Sequence, residues 1–263
     1  MSFDPSVYWN ERLSRDYSLQ AVGFIGLGLP FNRWMYRVRR HVFRRAVTRA
    51  FGTHRIQRVL DLGSGTGFYV ALWKELGAEQ ITGVDISEHA IAQLSSRWPD
   101  TRFILGDIGN PVPIPEATVD AVSAMDVLYH VMDDAKYRQA LSTAARALRP
   151  GGYFFFTENL MRGVRQPARY QAFRTTAAIT EMLAEVGLRP VRHEPMFVLM
   201  NTPLHCAALR PTWRAIATLV RLHPVLSWAV GAVLYPLELT LVSVLPNGPT
   251  TELLTCVKEP STP

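Results

Sequence analysis

Cysteine is scarce: Cys206 and Cys256 are the only two in a chain of 263 residues. They offer neither the paired spacing of a zinc site nor the numbers of a disulfide framework, so a stapled scaffold is excluded and a reducing cytosol is expected. The histidines and acids also lack metal-ligand spacing, and no metal is expected. Internal repeats and low-complexity tracts are absent. The opening Met-Ser-Phe-Asp-Pro lacks the basic-then-apolar pattern of a secretory leader, and the expected location is cytoplasmic. Acid is short relative to base, 22 residues against 28, for a net charge of +6. What remains, 48% hydrophobic and 19% charged residues, is ordinary for a globular chain and sufficient for a full α/β core with one elaboration.

The richest stretch is Val-Leu-Asp-Leu-Gly-Ser-Gly-Thr-Gly at residues 59–67. It reads as a buried strand, a turn stripped of side chains and a helix start near Thr66. Gly63, Gly65 and Gly67 permit positive φ and let a ligand approach bare backbone. A dinucleotide loop would need G-x-G-x-x-G, whereas the spacing here is G-x-G-x-G. Asp61 precedes the first glycine, where its charge would repel a pyrophosphate and suit a cationic or hydroxyl-rich ligand. A nicotinamide-dependent dehydrogenase is therefore disfavoured.

Further acids follow in register with further strands. Gln80–Ile86 ends at Asp85, 24 residues after Asp61, the position from which an acid accepts ribose hydroxyls. A third strand from Arg102 stops at Asp107-Ile108, a fourth from Val119 leads to Met125-Asp126, and a fifth follows the Pro-Gly-Gly at 150–152 as Tyr153-Phe-Phe-Phe-Thr. Residues 55–160, with their E/D-x-G-x-G-x-G start, resemble the class I S-adenosylmethionine (SAM) methyltransferases, of the natural-product and sugar O-methyltransferase kind. The resemblance implies an α/β, doubly wound, mostly parallel seven-stranded sheet with the last strand antiparallel. It implies SAM as cofactor, held by Asp61, Gly63, Ser64, Gly65 and Gly67, by Asp85 and Ile86 at the ribose, and by Asp107 and Ile108 at the adenine. Met125 is expected near the adenine or methionine portion. Tyr8 and Tyr17 resemble an aromatic arm that closes over the cofactor in related enzymes, with anchoring of a loose arm as the alternative. Arg12 and Arg15 are further candidates for the cofactor carboxylate.

A base for methyl transfer belongs beyond the fourth and fifth strands. His130 and Glu158 stand there, and the resemblance implies a histidine base and an acid in those places. The alternatives are a structural histidine beside the cofactor and an acid that binds a substrate hydroxyl. His193, His205 and His223 lie outside the shared motifs, with His205 near the start of the insert described next.

The expected organisation is an N-terminal helical arm or cap over 1–55, a SAM-binding core over 56–200, an apolar helical insert over 201–248 and the last strand with its tail over 249–263. A helix over 31–51 carries Phe31, Met35, Val38, Val42 and Ala46 on one face and Arg33, Arg37, Arg40 and Arg44 on another. The stripe reads as a solvated face or as a contact for an anionic partner or a membrane surface; nucleic acid is disfavoured for want of a stacking series beside it. Val191–Met200 is expected as the sixth strand and Glu252–Lys258 as the seventh.

Between them, Val225–Leu245 holds Glu238 as its only charge. It is long enough to span a bilayer, but one crossing would strand the last strand on the wrong side. Pro224 and Pro236 are expected to break it into short pieces forming a lid over an apolar substrate pocket, with a dimer interface or shallow membrane insertion as alternatives. The expected activity is methylation of an apolar natural-product, lipid-like or glycosylated small molecule by a monomer or homodimer. Two other readings stay open: SAM held structurally for cyclisation or pericyclic chemistry, and a non-enzymatic membrane- or partner-binding protein.

Overall fold

The computed structural model describes residues 4–161 and 171–260. The strands β1 (Arg58–Leu62), β2 (Gln80–Asp85), β3 (Arg102–Leu105), β4 (Val119–Ala124), β5 (Leu148–Glu158), β6 (Leu188–Pro195) and β7 (Glu252–Lys258) form one sheet in the order β3-β2-β1-β4-β5-β7-β6. The β1–β2, β1–β4, β2–β3 and β4–β5 pairs are parallel, and β7 runs antiparallel to both neighbours. The chain reverses its order at β1 and β4, so a crevice opens above the carboxyl ends of those two strands.

Helix α1 (Pro5–Arg15) begins with the Asp4 carboxylate accepting from the Ser6 and Val7 amides. Helix α2 (Gly28–Phe51) buries the expected apolar face against the sheet. With α3 (Phe68–Glu75) it covers one side of the sheet, where Phe43 meets Trp73 and Tyr69 edge to face at 5.1 Å each. Helices α5 (Asp134–Ala147) and α6 (Thr176–Glu185) cover the other side. The period of two along β5 divides its aromatics between these layers: Tyr153 and Phe155 face α2, while Phe154 and Phe156 face α5. Helix α4 (Glu88–Arg97) follows β2 and is capped by the Ser87 hydroxyl. Helices α7 (Arg210–Leu222) and α8 (Pro224–Val244) lie between β6 and β7 in sequence, and α8 packs along α2.

Two expectations about this region need correction. The sixth strand ends at Pro195 rather than Met200, because the amides of Val198, Leu199 and Met200 turn to the Glu238 carboxylate instead of a ladder. Pro236 does not break the apolar segment; it lies inside one 21-residue helix. The helix is pinned on both sides of the proline, by the Ser227 hydroxyl donating to Leu27 O before it and by Glu238 after it. These contacts offset the one backbone hydrogen bond that proline removes.

Candidate active site

The loop after β1 sits on the end of β2: the amides of Gly63 and Ser64 both donate to Val84 O. Gly63, Gly65 and Gly67 have φ of 76°, 51° and 77°, conformations that L side chains rarely adopt. A Cβ on Gly63 would also lie 2.7 Å from Val127 Cγ2, so the bare backbone is sterically required. Asp85 braces the same loop, its two carboxylate oxygens accepting from the amides of Gly65 (2.7 Å) and Ser87 (2.9 Å). Burial raises its pKa while those amides, which favour the anion, pull it down.

This loop forms one wall of a cavity of about 390 Å³. Of the residues expected at the cofactor, Gly63, Ser64, Gly65, Asp85, Ile86, Asp107, Ile108 and Met125 line the cavity, and Thr66, which was not among them, lines it too. Asp107 is already engaged: Oδ1 accepts from the Gly109 amide, and Oδ2 accepts from Asn110 Nδ2 and, at 3.1 Å, from Lys136 Nζ. Lys136 itself lines the cavity. Trp9, Tyr36, Tyr69, Asp126, His130 and Met132 line the same cavity. The His130 ring lies edge-on to Trp9, with centroids 5.1 Å apart, and tilts against Tyr129 at 4.6 Å.

Several expected residues fall elsewhere. Asp61 lies outside the cavity wall, one layer beneath the loop, 2% exposed, with Oδ1 accepting from Ser123 Oγ at 2.5 Å. Its Oδ2 is buried without a partner among the described residues. Burial pushes its pKa up to about 6, against hydrogen bonds from Ser123 and Ser64. Gly67 caps α3 beneath the side chains of Leu94 and Trp98, away from the cavity. From the arm, α1 turns Pro5, Trp9 and Leu13 into the cavity at spacings of four, so Trp9 takes the position expected of Tyr8, which instead accepts from Arg12 Nη1. Tyr17 donates to Gly65 O at 3.0 Å and so latches the arm to the loop from outside the cavity. Arg12 also donates to Gly23 O, and Arg15 pairs with Glu11 on the surface.

Glu158 is corrected more sharply. It shares the strand parity of Phe154 and Phe156 and therefore points to the α5 layer, where Oε2 accepts from Tyr137 at 3.0 Å and Oε1 from the Asn159 amide. It is wholly buried, and burial raises its pKa to about 7, against the Asn159 amide, Arg174 and Tyr137. It does not line the cavity that holds His130. No residue of 201–248, the expected lid, lines the cavity, whereas Pro5, Trp9 and Leu13 of α1 do.

The main omission from the sequence reading is Asp126. It has φ of 59°, and its Oδ2 accepts from Arg39 Nε at 2.6 Å in a buried ion pair. Its amide donates to Thr157 Oγ1, and its Oδ1 accepts from Tyr129. Burial opposes the Arg39 cation, but the Asp126 carboxylate holds that proton above the usual range. This knot directs the chain from β4 into the short 3-10 turn Leu128–His130. The available signal was an arginine among the apolar positions of α2: Arg39 lies on the face of Phe31, Met35, Val38 and Val42, outside the exposed stripe. Within that stripe, Arg40 and Arg44 pair with Glu75, and Arg37 stacks over Trp34 at 4.0 Å.

The sheet order, reversed last strand and glycine loop define the Rossmann-like methyltransferase fold. Residues 60–156 match the methyltransferase domain family. The chain is 31% identical over 127 residues to a protein named probable S-adenosylmethionine-dependent methyltransferase from Mycolicibacterium smegmatis, covering 48% of this chain and 46% of that one. It is 30% identical over 105 residues to a malonyl-[acyl-carrier protein] O-methyltransferase from Serratia marcescens, covering 40% and 39%. The chain thus spans less than half the length of these relatives. The crystal structure of a SAM-dependent methyltransferase from Archaeoglobus fulgidus superposes with a TM-score of 0.54 at 20% identity, covering 85% of this chain and 94% of that one. Over residues 60–156 the chain thus matches the methyltransferase domain family and is similar to SAM-dependent methyltransferases, proteins whose cofactor is SAM.

The residues present fit that cofactor. The bare loop, the Asp85 carboxylate and the buried Thr66 hydroxyl, partnerless among the described residues, all in the cavity wall, are suited to a ligand carrying hydroxyls and other hydrogen-bonding groups.

Proposed function

We propose that the protein methylates a hydroxyl of a small, largely apolar acceptor with SAM, and that His130 is the base. One observation carries this reading: a single cavity runs from the glycine loop to His130, joining the cofactor wall to a wall of Trp9, Tyr36, Tyr69 and Met132. When bound, SAM supplies a methyl group already activated on a sulfonium. Gly63–Thr66 would hold its methionine part, Asp85 its ribose hydroxyls, and Asp107 with Ile86 and Ile108 its adenine. The bonds Asp85 already makes leave its outward lone pairs for hydroxyls.

In the same cavity, the aromatic rings and Met132 exclude water and orient the acceptor. The turn held by Asp126 and Arg39 presents His130 to it, and His130 takes the hydroxyl proton as the oxygen is methylated. Isothermal titration of folded protein with SAM is the first test, and absence of binding refutes the proposal. Labelled-methyl assays over a panel of apolar phenols and alcohols follow, with equimolar S-adenosylhomocysteine expected. A product of unchanged methyl content would overturn methyl transfer in favour of cyclisation.

A further inference from the structure

Helix α8 is apolar on both faces: Val230, Leu234, Tyr235, Leu239 and Leu241 pack against the core, yet large apolar side chains also remain outside. Its buried seam is Ser227, Gly231, Glu238 and Val242, two small residues, a carboxylate and one apolar side chain. A Cβ on Gly231 would collide with Trp34, so the seam is small because α2 comes close. The helix's one charge is turned inward and accepts from three amides. Meanwhile Leu226, Val233, Leu237 and Val244 form an exposed stripe roughly 130° round the helix from the seam, taken at 100° per residue. Val233 is 75% exposed and Val244 68%; Trp228, 54% exposed, lies on the other side of the seam, beside Trp34. At the turn into α8, Leu222 and Val225 are 65% and 66% exposed, extending the apolar surface.

The flanks are basic. Arg210, Arg214 and Arg221 fall on one stripe of α7, and no acid other than the buried Glu238 occurs between residues 195 and 251. Arg37 stands over Trp34, whose ring meets Trp228 and Tyr235 of α8 at 5.7 and 5.3 Å. None of these four arginines has an acidic partner among the described residues.

We infer that the α7–α8 hairpin docks the protein on an anionic lipid surface, the α8 stripe entering the boundary of the acyl chains and the arginines meeting the headgroups. Helices with an apolar face and a basic flank lie in that interface. Although α8 is long and apolar enough to cross a bilayer, its seam stays on α2, and β7 after it rejoins β5 and β6; the helix therefore lies along the surface. The inference is independent of methyl transfer and is tested without it.

Full-length protein is floated with vesicles of phosphatidylcholine alone or enriched in phosphatidylglycerol, over a salt series. We expect at least about tenfold stronger capture by the anionic vesicles, declining as salt rises. The pair Val233→Asp and Leu237→Asp should abolish capture while SAM binding, which uses another surface, is retained. The exposed pair Arg210→Gln and Arg214→Gln keeps the apolar stripe and should lose the preference for anionic lipid, so the test stands if the aspartates unfold α8. Failure to float with either vesicle overturns the inference. So does equal, salt-independent capture by both, or light scattering that shows a dimer dissolved by Val233→Asp with no vesicle capture, which would assign the face to a second copy.

Discussion

Glu158→Gln separates stability from catalysis at the site where sequence and structure disagree. The wild-type carboxyl is pushed up to about 7 from 4.5, chiefly by burial. A raised pKa means that the folded state holds the proton more tightly than the unfolded chain. The stability from this group is then complete below the unfolded value and is lost as pH rises through 7. Between about pH 5 and pH 8.5 this amounts to roughly 2 to 3 kcal/mol at 1.36 kcal/mol per unit.

A glutamine does not titrate. Its carbonyl can accept from the Asn159 amide, and its NH2 can donate to a Tyr137 hydroxyl that reverses role. Asp61, raised to about 6, is present in both proteins and cancels from their difference. Urea denaturation at the two pH values should therefore show the variant gaining on wild type by about 2 to 3 kcal/mol as pH rises, with methyl transfer within about twofold of wild type. A stability difference that does not grow with pH refutes the burial argument. Loss of turnover by two orders of magnitude in a folded variant would return Glu158 to the catalytic machinery.

Replacing His130 with alanine should lower kcat by about 100-fold or more and remove the acid limb of the pH–rate profile, with SAM affinity little changed; an unchanged kcat at every pH eliminates the base. Gly63→Ala combines a φ of 76° with a Cβ 2.7 Å from Val127 Cγ2, and should cost about 1 to 3 kcal/mol in thermal unfolding and weaken SAM binding by calorimetry. Arg39→Met leaves the Asp126 carboxylate buried without its cation and should destabilise by about 3 to 5 kcal/mol. The double variant with Asp126→Asn should recover much of that loss in the same denaturation assay, whereas strictly additive losses would show that the pair is not coupled.

The proposed cofactor half of the site was readable because it is local. A strand end, a glycine turn and an acid at each following strand lie within short windows, and the parallel sheet brings those ends together without help from distant residues. The helix over 31–51 and the last strand were readable for a similar reason, since burial imposes a period on them. The acceptor half depends on contacts across long separations. Asp126 meets Arg39 from 87 residues earlier, and Trp9 reaches His130 from the arm. Neither pairing leaves a periodic trace.

Glu158 was misplaced for a different reason. Its position at a strand end is a matter of sequence, but the side it faces is set by strand parity relative to layers that must first be assembled. The insert shows the same division. Its apolar composition and single acid are plain in the chain, and they establish that a long hydrophobic helix exists. Only packing on α2 decided that Glu238 and Val242 turn inward and Leu226, Val233, Leu237 and Val244 outward, because a helix's apolar residues choose no direction until one face has found a partner. The sequence by itself determined the sheet, the glycine loop and the family of the cofactor. Tertiary structure decided which side chains face the acceptor and which face the outside.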